Sequence, residues 1–433
     1  MYKLSNYNII KEYDDDILIY NSYTKASLFL EKNSNIDVFN NIKYFDKLDD
    51  ETKKILINNG FVIDEKRDEL KELEYMFTKV YFNNDFLNVV LVPSLECNFK
   101  CPYCFEKGQT NFKENVREYF KILKKYGKKY FKEYKVIQFS LFGGEPLVYY
   151  NDVKKFLDWV KKDSKVNNYK YITSIVTNGS LLTEKITKEL IDHNMFSLQI
   201  TLDSDKKTHD SLRIYKNDKP SFDILINKIK MLLDVTKKEK DFIFNLRINL
   251  LNCDTMNLKE TLLRFEPKYR SRINLLIRAV YKTSEFKGDN NNNVSDLRKF
   301  YDIALSMGYK LVKNTYHYQS CEGCADTKFF YLLPDLSMWK CVNDLNYKEA
   351  CFGYIDSNGD PFIDEKKTTN WYYNASNCFS LKECRECKLL PDCLGGCILH
   401  SCKNCKKNCK TFDMACLPYI MQWKSLNIIL LNH

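Results

Sequence analysis

The chain has 433 residues, 44% hydrophobic and 29% charged. That is apolar material for two to four folded domains at roughly 150 residues each, and it excludes wholesale disorder. Lys and Arg number 67 against 57 Asp and Glu, a formal charge of +10. The excess is interleaved in runs such as Lys161–Lys165 and Lys237–Lys240, which read as a solvated surface, with attraction to nucleic acid or an acidic peptide as the alternative. No apolar run reaches the roughly 18–20 residues of a membrane span, and residues 1–20 lack the basic-then-apolar order of an export signal. A soluble, cytoplasmic protein is expected.

In chain order, Asn8–Tyr13 and Asp16–Tyr20 read as short strands around an Asp-rich turn, Leu48–Asn59 as a helix and Gly60–Ile63 as another strand. This order fits a compact winged-helix-like module, followed by a charged helix over Glu65–Phe77. From Leu87 strand-like segments recur: Leu87–Val92, Val136–Phe142, Thr173–Val176, Phe196–Leu202, Phe242–Leu250 and Ile273–Val280. Amphipathic stretches separate most of them, at Val116–Tyr134, Val153–Asp163, Glu184–Asn194 and Phe222–Val235. Such β/α units predict an α/β fold with a parallel sheet and helices outside, because parallel strands need crossover connections. Six units fall short of the eight of a closed barrel, so a partial (β/α)6 barrel is expected. Asn290–Asn293 reads as a surface loop and Val294–Met307 as the helix closing the barrel region. The last ~110 residues show little strand periodicity and are expected to be organised by metal rather than a large apolar core. The predicted boundaries are 1–81, 82–308 and 309–433.

Cysteine is the informative residue. There are 17, an odd count without an export signal, which makes a disulfide framework a poor explanation. Cys97, Cys101 and Cys104 stand together, Cys253 stands alone, and the rest lie between Cys321 and Cys416. The first three form C-x3-C-x2-C in the loop after the first β/α strand, the strand end where barrel active sites gather. Three thiolates can bind three irons of a 4Fe–4S cluster and leave the fourth open to a small molecule. A structural zinc wants four closed ligands. No neighbouring Cys or His completes such a set, and the whole chain holds only 5 His.

Taken with that triplet, and with Tyr103 just before its last member, three further segments resemble the radical S-adenosylmethionine (SAM) superfamily. They are Gly143-Gly144-Glu145-Pro146-Leu147 after the second strand, Thr177-Asn178-Gly179 after the third and Thr201-Leu202-Asp203 ending the fourth, with His209-Asp210 and Arg213 downstream. The resemblance implies a SAM-binding cluster on Cys97, Cys101 and Cys104. It implies SAM contacts at Tyr103, Gly144, Glu145, Thr201 and Arg213, with Leu276 and Arg247 as further candidates; an ion pair inside the barrel explains Arg247 equally well. Arg213 suits the SAM carboxylate, as a guanidinium makes charge-assisted bonds.

A second resemblance is to the SPASM extension of peptide- and protein-maturing members. Cys384-x2-Cys387-x5-Cys393-x3-Cys397-x18-Cys416 follows its spacing, and Cys321, Cys324 and Cys341 flank a hairpin-like Leu332–Lys340. It implies two auxiliary clusters, one on Cys321, Cys324, Cys341 and Cys397 and the other on Cys384, Cys387, Cys393 and Cys416. The cofactors would then be three [4Fe–4S] clusters and SAM. Cys351, Cys378, Cys402, Cys405 and Cys409 are left as spare or alternative ligands and Cys253 as an ordinary thiol.

Two activities compete within that group. In formylglycine-forming sulfatase maturases an Asp follows the ligand Cys of the hairpin; here Val342 follows Cys341, and the nearest Asp is Asp344. The N-terminal region, Asp68-Glu69 included, looks like the thioether-forming ranthipeptide and sactipeptide maturases. Their small N-terminal domain binds a precursor leader, which could add as a strand to an exposed sheet edge. The leading expectation is a peptide crosslinker, most simply Cys thioether, with carbon–carbon crosslinks and formylglycine formation as alternatives. Its partners would be a leader-bearing precursor and an electron donor such as flavodoxin or ferredoxin, with no membrane or nucleic acid. A metal-stabilised binding module or redox carrier without SAM chemistry is the alternative of another class.

Overall fold

The computed structural model describes residues 1–13, 16–31, 37–82, 84–104, 106, 115–251, 255–279, 297–311, 326, 328–343, 345–396, 398, 399 and 402. The expectations placed on Cys253, Asn290–Asn293, Cys321, Cys324, Asp344, Cys397, Cys405, Cys409 and Cys416 lie outside these residues. Two compact units result, one of Met1–Phe82, Asn314–Thr327 and Thr369–His433, the other of Asn83–Lys313 and Lys328–Thr368. No helix among the described residues is long and apolar enough to cross a membrane.

In the first unit β1 (Tyr2–Leu4) is followed by an antiparallel trio, β2 (Asn8–Tyr13), β3 (Asp16–Asn21) and β4 (Ser27–Glu31), and then by β5 (Val62–Asp64), which pairs with β1. The run Ile17-Leu-Ile-Tyr20 is apolar throughout because both faces of β3 are covered. Ile17 and Ile19 join Val38, Phe39, Phe45, Leu56 and Phe61 in one core, while Leu18 and Tyr20 join Ile9 and Leu389 on the other side. The helix Asp50–Asn58 starts at Asp49, whose carboxylate accepts the Thr52 N–H at 2.8 Å. The linking helix begins later than its composition predicts, at Glu69 rather than Glu65, because Asp68 is its cap, accepting from the Lys71 N–H at 3.1 Å. It runs to Tyr81, and its Phe77 and Tyr81 rings pack on Phe379 and Tyr372 of the same unit.

The second unit holds the six expected parallel strands: β6 (Phe86–Leu91), β7 (Val136–Leu141), β8 (Lys170–Thr177), β9 (Met195–Asp203), β10 (Ile243–Leu250) and β11 (Ile273–Ala279). The helices Val116–Tyr130, Tyr150–Asn167, Glu184–Asp192 and Phe222–Val235 fall where the amphipathic pattern places them. Alternation along each strand divides the sheet. Ile137, Phe139 and Leu141 face the helices, where Phe139 meets Phe156 edge-on at 5.4 Å. Polar side chains line the other face, where the Ser140 and Ser174 hydroxyls are 2.9 Å apart. Gly127 lets two helices close: a Cβ there would sit 2.6 Å from the Phe131 ring and 2.7 Å from Trp159.

The segment after Lys328 corrects the expectation of a tail poor in strands. After the short β12 (Lys310–Leu311) beside β11, the strands β13 (Phe329–Leu332), β14 (Ser337–Trp339), β15 (Cys351–Ile355) and β16 (Pro361–Ile363) extend the barrel sheet to eleven strands. β13 lies parallel to β6 and forms the anticipated hairpin with β14, Leu332 opposite Met338. Phe330, Leu332, Met338, Phe352 and Ile355 belong to the barrel core itself. Strands of three to five residues are too short for period-two alternation to stand out, which is why this part escapes a sequence reading.

Candidate active site

The loop after β6 carries Cys97, Cys101 and Cys104, all half-buried. Backbone bonds pin it from two sides. The Gly144 and Glu145 N–H groups donate to the Ser94 and Glu96 carbonyls at 3.3 and 2.8 Å, while Lys100 N–H donates to Ile214 O at 3.0 Å and Lys216 N–H to Asn98 O at 2.9 Å. The third strand's turn adds side chains: Asn178 Nδ2 donates to Asn98 Oδ1 at 2.8 Å, and Asn98 Nδ2 to Ser180 Oγ at 2.9 Å. Gly144 is required for this closeness, since a Cβ there would lie 2.3 Å from Glu96 O and 2.4 Å from Leu95 O. Gly143 is left-handed at φ +113°.

Glu145 is buried, and its carboxylate is taken up inside the protein. It accepts from Leu147 N–H at 3.0 Å, Thr177 Oγ1 at 2.7 Å and Asn178 N–H at 2.7 Å. Burial pushes its pKa up and these three donors oppose the shift. The side chain thus welds the Gly-Gly-Glu-Pro turn to the Thr177–Gly179 turn.

Across the strand ends lies a buried polar network. Tyr103, from the Cys loop, donates its hydroxyl to Asp203 Oδ2 at 2.5 Å, and Arg213 Nη1 donates to the same hydroxyl at 3.0 Å. Asn249 Nδ2 reaches Asp203 Oδ1 at 3.0 Å, and Arg247 Nε reaches Asn249 Oδ1 at 2.8 Å. Burial drives the Asp203 carboxyl upward and the Arg213 charge opposes it. Arg213 Nε is buried with no hydrogen-bond partner among the described residues. Such an orphaned donor is costly unless a bound group satisfies it. Thr201, Arg247 and Leu276 occupy one register row across β9, β10 and β11.

Burial also raises the Cys97 and Cys104 thiols to about 11, and raises Cys101 against the Arg213 charge. Among the described residues no three Cys, His, Asp or Glu side chains converge on a single ion. An iron–sulfur cube asks for something else, one thiolate at each of three corners, whereas tetrahedral zinc requires convergence. The three thiols on one pinned loop therefore fit a cluster. The orphaned Arg213 nitrogen fits an anionic group of a bound ligand.

Of the other cysteines, Cys341 is buried after β14, with buried Val342 next in sequence. Cys384, Cys387 and Cys393 are half-buried, Cys384 on the helical turn Lys382–Arg385, Cys393 on the turn Leu390–Cys393 and Cys387 in the link between them. Leu394, Gly395 and Gly396, all with positive φ, follow the last. Cys378 and Cys402 are buried. Sequence reasoning placed Asn178, Asp203 and His209 in motif segments without giving them these partners, and it missed Asn249 altogether. The one available signal was the position of Asp203 at the end of the Thr-Leu-Asp strand.

Residues 91–252 match the Radical SAM superfamily. The chain carries a radical SAM domain. It is 26% identical to the radical SAM cyclopropyl synthase TigE of Paramaledivibacter caminithermalis, over 89% of this chain and 84% of that protein. It is 33% identical to a cysteine-type anaerobic sulfatase-maturating enzyme of Clostridium novyi, over 34% of this chain and 40% of the relative. Its fold is similar to that of Streptococcus suis SuiB bound to precursor peptide SuiA, with TM-score 0.50 and 14% identity over 93% of this chain and 97% of that one. The radical SAM family implies a 4Fe–4S cluster and SAM, and the chain is a radical SAM enzyme.

Proposed function

We propose that this radical SAM enzyme matures a ribosomally made peptide by crosslinking it, most simply joining a Cys sulfur to a carbon of another residue. The observation that carries the reading is the pinned three-thiol loop facing the orphaned Arg213 nitrogen, in a chain whose other unit is a separate strand-and-helix module. A cluster and SAM held there would, given one electron, supply the hydrogen-abstracting chemistry that a crosslink needs.

The chain's own residues do the rest. Cys97, Cys101 and Cys104 hold three irons. The turn at Gly144, kept in place by Glu145, would meet the SAM amino group. Arg213 offers Nε to the SAM carboxylate while its Nη1 braces Tyr103. Thr201, Arg247 and Leu276 line the row beside them, excluding water and aiming one C–H bond. Flavodoxin or ferredoxin is the class of donor that supplies the electron. Cys384, Cys387 and Cys393 with Cys416, and Cys341 with Cys321, Cys324 and Cys397, would hold auxiliary clusters, which would supply an acceptor for the electron released on bond formation. Residues 1–81 read the precursor leader, 82–308 form the barrel and 309–433 the SPASM region. β2 and β4 are the edges of the antiparallel trio, and a leader added there gains main-chain bonds.

Val342, apolar and buried beside Cys341, offers no base, which disfavours formylglycine formation. The similarity to a cyclopropyl synthase favours carbon–carbon bond formation as the second reading. Anaerobic incubation of the enzyme with SAM, reductant and a candidate Cys-containing precursor peptide tests both. A product lighter by two hydrogens per crosslink, its thiol no longer alkylated, is expected. The same loss with the thiol intact selects the carbon–carbon reading, and an unchanged peptide rejects both.

A further inference from the structure

The segment between Cys387 and Cys393 is held from outside as well as by its own helical turn, Leu390–Cys393. Three side chains from the end of β3 and the turn after it reach this loop within the same unit. Ser22 Oγ donates to the Lys388 carbonyl. Lys25 Nζ donates to Pro391 O at 3.2 Å and forms an ion pair with Asp392. The Tyr20 hydroxyl donates to Asp392 Oδ2 at 3.0 Å. Leu389, between these anchors, packs against the Ile9, Leu18 and Tyr20 side chains. All three donors are inside the fold, Tyr20 being 2%, Ser22 0% and Lys25 8% exposed.

The turn that presents them is built with care for its shape. Asn21, fully buried, donates Nδ2 to Ser5 Oγ, Asn8 Oδ1 and Gly60 O at 2.9, 2.8 and 3.0 Å, and accepts from the Tyr23 and Thr24 N–H groups. Lys25 itself is left-handed, φ +65°, a conformation that is costly for a residue with a side chain and persists only where the surroundings impose it. A buried ammonium, held in a strained turn and aimed at the loop between two candidate metal ligands, is more than packing requires, since a leucine would cover Leu389 as well.

We propose that Tyr20, Ser22 and Lys25 are positioning residues for the iron–sulfur site built on Cys384, Cys387 and Cys393. They fix the loop between two ligands and set the charge beside the cluster, so that the reduction potential of an auxiliary cluster is tuned from the N-terminal module. This rests on the reading of those cysteines as cluster ligands. The groups around a metal's ligands control its potential through charge and hydrogen bonding. Lys25 and Asp392 offset each other, and the removal of either leaves one sign of charge beside the cluster.

The test uses the reconstituted full chain in a C97A/C101A/C104A background, where only auxiliary signals remain, with iron and sulfide content and potentiometric electron paramagnetic resonance as readouts. K25M is expected to move the midpoint potential to more negative values and D392N to more positive ones. K25M/D392N returns close to the parent, and K25R retains its value. A purely structural role would give both single variants the same direction of change, or only lost iron. Such a result, or unmoved potentials, overturns the proposal. If K25M does not load, Y20F, which keeps the packing and removes the hydroxyl, is expected to give a smaller negative shift, and no shift there overturns it too. A parent background that binds no iron instead rejects the auxiliary-cluster reading itself.

Discussion

His209 accepts the Asp203 amide N–H at Nδ1, 3.1 Å away, and so holds in place the residue that receives the Tyr103 hydroxyl. With Nδ1 accepting, the neutral ring must carry its proton on Nε2, which faces Ser221 Oγ at 2.9 Å; Ser221 in turn donates to the Arg213 carbonyl. One imidazole thus ties the Asp203 and Arg213 backbones together.

That arrangement gives a pH dependence. Burial, reinforced by the Arg213 charge, holds His209 well below its ordinary 6.5. On unfolding the ring regains that ordinary value, so the unfolded chain binds the proton first. Stability from this site is intact above about pH 6.5 and falls as the pH drops below it. Thermal unfolding from pH 8 to pH 5 should show the decline, and H209Q should flatten it.

Arg213 carries a different expectation. R213K keeps a charge but cannot offer the Nε donor and brace Tyr103 in the same geometry. A lost charge-assisted bond is worth about 1.5–3 kcal/mol, so SAM affinity should weaken by roughly 10- to 150-fold. Equilibrium binding of SAM measures this, and an unchanged affinity would remove Arg213 from the SAM site.

For the cluster loop, C97A/C101A/C104A should abolish reductive SAM cleavage and lower the iron content by about four per chain. G144A is subtler. Its Cβ would strike the Glu96 and Leu95 carbonyls, so the loop must shift. Cluster loading should fall with little loss of secondary structure by circular dichroism.

Asp210 separates stability from chemistry. Its Oδ1 accepts from the Ser221 and Phe222 N–H groups, both at 2.9 Å, and so caps the helix Phe222–Val235 from outside it. D210A should cost about 0.5–2 kcal/mol in denaturant titration. SAM cleavage by the folded fraction should be retained.

Much of this was legible in the residues. The six parallel strands announce themselves because each buries an apolar face, and the Cys triplet and glycine turn fall at strand ends where chemistry belongs. The helix Phe222–Val235 has the bounds its periodicity sets. What stayed hidden depends on contacts between distant segments. Nothing local in Ser27–Glu31 marks β4, whose pairing with β3 decides it. The alignment of Thr201 with Arg247 and Leu276 is a matter of register between strands. That Glu145 would turn inward to Asn178, or that Lys25 would adopt a left-handed turn, follows from tertiary packing that no single window contains.

β6, the strand that leads into the Cys loop, is flanked by β7 on one side and by β13 on the other. Its second neighbour is synthesised only after all six parallel strands. Until then β6 presents an open row of peptide groups, and the strand supporting the cysteine loop is incompletely braced. Oxygen-sensitive iron would meet a finished cradle only late in biogenesis, so truncation just before Lys328 should yield an aggregation-prone chain that loads iron poorly.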